Sequence, residues 1–175
     1  MGGGKIFYVT SEGFTVQGYG NTGDPDYFVA YTAHYLEAAP YTTENTAQWG
    51  TYGSFVGSSI DYLGYGRKNT QMIVNFLKNM TVPEIKRAAQ LCDSLIEGGK
   101  DDWFLPSSDE LNYMYENLRK TVDLDNFGGK VYWSSSEYNS SWVWFQYFGD
   151  GRRTGYAPHF YDKDNTYSVR AIRAF

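Results

Sequence analysis

Three consecutive serines, Ser134, Ser135 and Ser136, follow Trp133 and could offer a hydroxyl nucleophile. A nucleophilic serine needs a positioned base. The chain has two histidines, His34 and His159, and neither stands in a triad context. The serines are therefore expected to satisfy backbone groups at a tight turn. Asp162, Asp164 and Asn165, in DKDNT, resemble the start of an oxygen-rich cation loop. The glycine and distant glutamate of an EF-hand are missing, so this reads as a solvated turn. Cys92 is the only cysteine, which rules out disulfides and Cys-based zinc sites. It falls on the apolar face of a predicted helix, where a buried thiol is inert. Glu137, Arg170 and Arg173 read as a framework ion-pair set, the two arginines pointing to opposite faces of one strand. No catalytic residue, metal ligand or cofactor follows from these patterns.

What remains is chemistry of contact. Residues 138–164 are crowded with aromatic, Arg, Asp and Asn side chains and carry no strong periodicity. Tyr and Trp give rigid contact area at low entropic cost, and Tyr and Arg are enriched at interface hot spots. The candidate ligand-binding residues are Asn139, Tyr147, Asp150, Arg152, Arg153, Tyr156, His159 and Tyr161.

The elements that must hold such a stretch can be read on either side of it. Residues 5–10 form an opening strand, residues 27–35 a second, and residues 41–66 an ordered Gly/Ser/Tyr-rich loop. Met72, Ile73, Phe76 and Leu77 stripe a helix over 70–79. Thr81, Pro83 and Glu84 would cap a second helix carrying Ile85, Ala88, Ala89, Cys92, Leu95 and Ile96, ended by Gly98-Gly99. Ser107 and Glu110 form another capping box, leading into Leu111, Met114, Tyr115 and Leu118. Residues 131–134, 142–148 and 167–175 are β-prone. Trp103, Leu105 and Trp133 are expected in the core, with Pro106 as a rigid lead into the Ser107 cap. Helices between terminal strands make an α+β domain, and 175 residues fit one domain, 1–175, better than two.

Composition limits the partners. The net charge of −5 leaves no basic stripe for nucleic acid. No apolar run reaches the roughly 18 residues that would span a bilayer, so no membrane insertion is expected. The start MGGGKIFYV is too short and Gly-rich for an export signal.

The phrases GGGKIFYV, YLEAAP with WGTYG, GYGRKNT, DWFLPSSDEL, YWSSSE and VRAIRAF resemble, in this order, bacterial and phage domains of the C-type lectin fold. The chain looks most like the C-terminal domains of bacterial collagen-like adhesins and the variable proteins of diversity-generating retroelements. It is more distantly similar to formylglycine-generating enzymes. The resemblance implies a lectin-like scaffold with paired terminal strands and a ligand face late in the chain. It also implies a cell-surface, extracellular or virion-associated setting, with a protein or glycan on another surface as ligand. In the variable proteins, adenine-directed mutagenesis favours residue types that Arg152, Arg153, Thr154, Gly155, Tyr156, His159 and Tyr161 match. Trp142 and Trp144 share one strand face and Phe145 lies on the other. Trp144 resembles a framework residue of the family and is kept out of the candidate site. The calcium signatures of sugar-binding lectins are absent, and one cysteine cannot supply the copper-holding pair of the formylglycine-generating enzymes. The implied function is non-catalytic ligand binding, with an invariant adhesin domain for a fixed polysaccharide as the alternative.

Overall fold

A computed structural model describes residues 2–120, 126–154 and 162–175. Among the described residues the architecture is mixed α+β, with two sheets and three α-helices. The first sheet has the order β1 (Lys5–Val16), β2 (Tyr31–Ala38), β8 (Ile172–Ala174). The second has the order β3 (Asn45–Gln48), β7 (Thr166–Val169), β4 (Val131–Glu137), β5 (Val143–Tyr147), β6 (Arg153–Thr154).

The terminal strands share a sheet but do not pair with each other, as the resemblance had implied. β2 lies between them, antiparallel to both. Its buried Glu37 is the physical reason both chain ends gather there. Glu37 accepts from the Gly2 N–H at 2.8 and 2.9 Å and from the Gly4 N–H at 2.9 Å. From β8 the Arg173 guanidinium donates to it at 3.3 Å while gripping Asp102 at 2.8 and 3.0 Å.

The predicted final strand, 167–175, is two strands in different sheets. The chain crosses between β7 and β8 at Arg170 and Ala171. Arg170 is buried against Glu44 (2.7 Å) and over the Phe127 ring. Glu137 pairs with neither arginine, and its partner is Lys163. The expected single framework set is thus three separate buried pairings.

Helix α1 (Gly66–Lys78) buries Ile73 and Leu77, as its stripe predicts. The second helix is far shorter than expected, Ala88–Asp93 (α2). The Glu84 N–H closes onto Leu77 O at the end of α1 instead of starting a new helix. Lys86 then takes a left-handed φ of 59°, which breaks any helix there. Gln90 Oε1 accepts the Arg87 N–H and caps the helix six residues late. Ile85 and Ile96 are consequently exposed.

Helix α3 (Ser108–Met114) begins as its sequence dictates. Ser107 Oγ accepts the Glu110 N–H, and Glu110 Oε2 accepts the Ser107 N–H at 2.8 Å. Glu110 Oε1 also accepts the Gly64 N–H at 2.8 Å, tying the 60–66 segment to the helix start. Gly64 has φ 87°, and a Cβ there would fall 2.0 Å from Thr15 O, so only glycine fits.

Glu110 is fully buried with backbone donors for partners, and burial pushes its carboxyl up to about 7 against those donors. The folded state therefore holds a proton that the unfolded chain releases near pH 4.5. Stability from this group is full below that pH and falls as pH rises through 7, by about 3 kcal/mol. Asp93, also raised by burial, adds in the same direction. Melting curves across pH 5–8 should show the decline, and Glu110→Gln should flatten it. An unchanged slope in that variant would contradict the assignment.

Two core clusters flank the second sheet. One packs Leu36, Phe104, Leu111, Tyr132 and Phe148 between the two sheets and α3. The other packs Trp49, Leu105, Trp133, Phe145 and Cys92 against α1 and α2. Trp103, Leu105 and Trp133 are buried as expected. Burial and the neighbouring Asp93 push the Cys92 thiol well above its usual range, so it stays protonated.

Candidate functional site

The β4–β5 hairpin and strand β6 form the scaffold of the site, since the described expected residues belong to it or to its flanking loops. β4 carries the three serines, all buried and mostly engaged. Ser134 Oγ donates to Trp144 O at 2.5 Å. Ser136 Oγ donates to Ile60 O at 3.0 Å and accepts the Ser108 N–H at 3.0 Å. Ser135 Oγ has no hydrogen-bond partner among the described residues. The serines lie within strand β4 and not at the expected tight turn, and Ser134 and Ser136 satisfy backbone groups of β5, α3 and the 56–62 segment.

The expected contact residues divide among three places. Asn139 sits at the β4–β5 connection, where its Oδ1 accepts the N–H groups of Ser141 and Trp142, each at 2.8 Å. That is a turn-forming role for the side-chain oxygen. Tyr147, Asp150 and Arg152 lie at the opposite end of β5, about 13 Å away at strand rise. There Arg152 donates to Asp150 from both its backbone N–H (3.0 Å) and Nη2 (2.7 Å). Hydrogen bonds from Arg152 hold the Asp150 carboxyl below its usual range. The Tyr147 ring folds against Gly149, where an added Cβ would fall 2.3 Å from it. Arg153, on β6, reaches α3 and donates to Ser108 Oγ (2.9 Å) and Asp109 Oδ1 (2.7 Å). Beside it Gln146 donates to Asn112 Oδ1 at 2.9 Å. Tyr156, His159 and Tyr161 lie outside the described residues.

A second contributor was not anticipated. Residues 50–62 run along the end of β4 and bring exposed aromatic rings to it. The Gly53 N–H donates to Ser140 O at 3.0 Å, and the Glu137 N–H to Ser58 O at 3.0 Å. The Glu137 carboxylate accepts from Val56 (2.9 and 3.1 Å) and Gly57 (2.7 Å). Lys163 completes the latch, bonding Glu137 Oε1 and Ser54 O and lying 4.8 Å from the Trp49 ring centre. Burial depresses the Lys163 pKa, while Glu137 pulls it back up. DKDNT is the expected turn, closed by the Asn165 N–H on Asp162 O at 2.9 Å with Asp164 exposed, and it carries a buried anchor at Lys163.

The result is an aromatic face. Tyr52, Phe55, Tyr62 and Tyr138 are 45–64% exposed. Tyr138 meets Trp144 edge-on at 5.7 Å and lies 6.3 Å from Trp142, whose indole N–H donates to Asp162 Oδ1 at 2.8 Å. Val143, Phe145 and Gln146 are buried, while Trp144 is partly buried beneath the edge of Tyr138. Trp144, which the resemblance marks as a framework residue, stands partly exposed at the edge of this face.

On the other side of the 50–57 loop lies a groove of about 930 Å³, lined among others by Tyr19, Val56, Met72, Phe76 and Met80. Among the described residues no three His, Cys, Asp or Glu side chains are grouped to hold a metal ion. No helix among them is long and apolar enough to cross a membrane.

Fold and face together define a mixed α+β domain whose strand hairpin and long loop present aromatic side chains outward. Residues 58–173 match the family described as the Lcl C-terminal domain, and the chain belongs to that family. Among curated proteins none matches the sequence. A solved fimbrial protein from Bacteroides ovatus ATCC 8483 is similar in fold, with a TM-score of 0.56 and 18% identity. The likeness covers 81% of this chain and 36% of that one.

Proposed function

We propose that the chain is a single C-type lectin-like domain that binds a protein or glycan on another surface, without catalysis, as a cell-surface or virion-associated adhesin does. The observation that carries this reading is the aromatic face built from residues 50–62, Tyr138, Trp142 and Trp144. Exposed tyrosine and tryptophan on a rigid frame lose little entropy on contact. The Lys163–Glu137 latch supplies that rigidity on the loop side, and the Arg153–Asp109 pair supplies it on the α3 side. Family membership and the fold shared with a fimbrial protein support the same reading. So do the engaged Ser134 and Ser136 hydroxyls and the buried thiol, which leave little for nucleophilic chemistry. Membership of the diversified variable-protein subgroup is part of the proposal and rests on the residue types at 152–161.

The test is binding of the labelled domain to intact cells. Tyr52→Ala/Phe55→Ala/Tyr138→Ala is expected to lower binding by more than about tenfold, since hot-spot truncations cost on the order of 2 kcal/mol each. The melting temperature should hardly change. Full retention of binding would contradict the proposal.

A further inference from the structure

The segments that build the aromatic face are unusually poor in cations. Residues 50–66 and 131–151 contain no lysine or arginine. Of the three cations in and around these segments, Arg152 lies at the far end of β5 from the face, and each is held by a carboxylate: Arg152 by Asp150, Arg153 by Asp109, and Lys163 by Glu137. Carboxylates, by contrast, are in excess. Asp61 adjoins Tyr62 in the chain, Asp162 sits on the Trp142 indole, and Asp164 is exposed. Across residues 50–66 and 131–165 there are five acids and three bases, a net −2 within a chain of net −5.

Resting on the reading of this face as the binding surface, we propose that its partner is a protein surface bearing lysine and arginine side chains. The π-faces of Tyr52, Phe55, Tyr62 and Tyr138 attract cations, and the neighbouring carboxylates add to that attraction. The aliphatic stems of lysine and arginine cover ring surface while their charged heads reach the acids. A sulfated or phosphorylated polymer meets the opposite situation. It requires uncommitted basic groups to replace its counterions, and the cations at this face are already engaged. A neutral sugar would use the rings but gain nothing from the acidic excess. Rings that stand about half exposed on loops also suit interdigitation with side chains better than a flat-lying pyranose.

The experiment is NMR titration of the labelled domain with four probes: an acetylated Gly-Arg-Gly-Arg amide, its Gly-Glu-Gly-Glu counterpart, maltohexaose and heparin. The arginine peptide is expected to shift the Tyr52, Phe55, Tyr138 and Trp142 signals, and to bind more weakly as salt is raised. Tyr52→Ala/Phe55→Ala/Tyr138→Ala keeps every charge and is expected to weaken that peptide by about tenfold. Equal binding to this variant would mean unspecific attraction to an acidic protein and would overturn the proposal, as would no shift with the arginine peptide. Shifts of the same signals by maltohexaose or heparin in place of the peptide would overturn it while leaving the binding face itself standing.

Discussion

Lys163→Met is expected to destabilise the domain by about 3–5 kcal/mol, because it leaves the Glu137 carboxylate buried without its cation. Both side chains are fully buried, and the ammonium also donates to Ser54 O at 2.6 Å. Two backbone N–H groups, from Val56 and Gly57, would remain on the carboxylate, too few to replace a full charge. Adding Glu137→Gln removes the stranded charge and should recover most of the loss. Urea unfolding of the single and double variants measures both steps. Hydrogen exchange should show Val56 and Gly57 losing protection in the single variant. A loss below about 1 kcal/mol, the range of exposed pairs, would mean that the pair does not hold the loop.

Trp133→Ala is expected to cost about 3–5 kcal/mol through the cavity it opens. The indole has no solvent exposure, meets Tyr167 edge-on at 4.8 Å and donates from Nε1 to Ala47 O at 2.9 Å. Its removal therefore strands a buried carbonyl as well as emptying the space between β4, β3 and β7. Against the total stability of about 5–15 kcal/mol that such domains possess, a large unfolded fraction should appear in near-UV circular dichroism at room temperature. A variant with wild-type melting behaviour would show that the second cluster is not a cooperative part of the core.

The parts of this fold legible in the sequence were those fixed by neighbours along the chain. Ser107 and Glu110 cap one another three residues apart, so α3 could be placed from local chemistry. The stripe of Ile73 and Leu77 likewise located α1. The α2 start was misplaced although its local signals were good. Thr81, Pro83 and Glu84 describe a competent cap, but the Glu84 N–H is taken by Leu77 and Lys86 turns left-handed. The VRAIRAF ending reads as one strand, and only the pull of Glu44 on Arg170 and of Glu37 on Arg173 shows that it serves two sheets.

Half of the candidate site was hidden for a similar reason. Residues 138–153 announce themselves by composition, whereas the 50–62 loop is positioned by a lysine 109 residues away from its Ser54 acceptor. No periodicity marks such a pairing. Composition likewise gives no sign that the Asn139 oxygen serves its own turn or that the Arg153 guanidinium reaches α3.

Photocrosslinking on intact cells tests the central claim most directly, with a benzophenone side chain placed at Tyr138 on the aromatic face or at Met72 in the groove behind the loop. The account predicts a crosslinked partner from position 138 that excess unlabelled wild-type domain displaces and Tyr52→Ala/Phe55→Ala/Tyr138→Ala does not, with no such product from position 72. A displaceable product from position 72 and none from position 138 would contradict it.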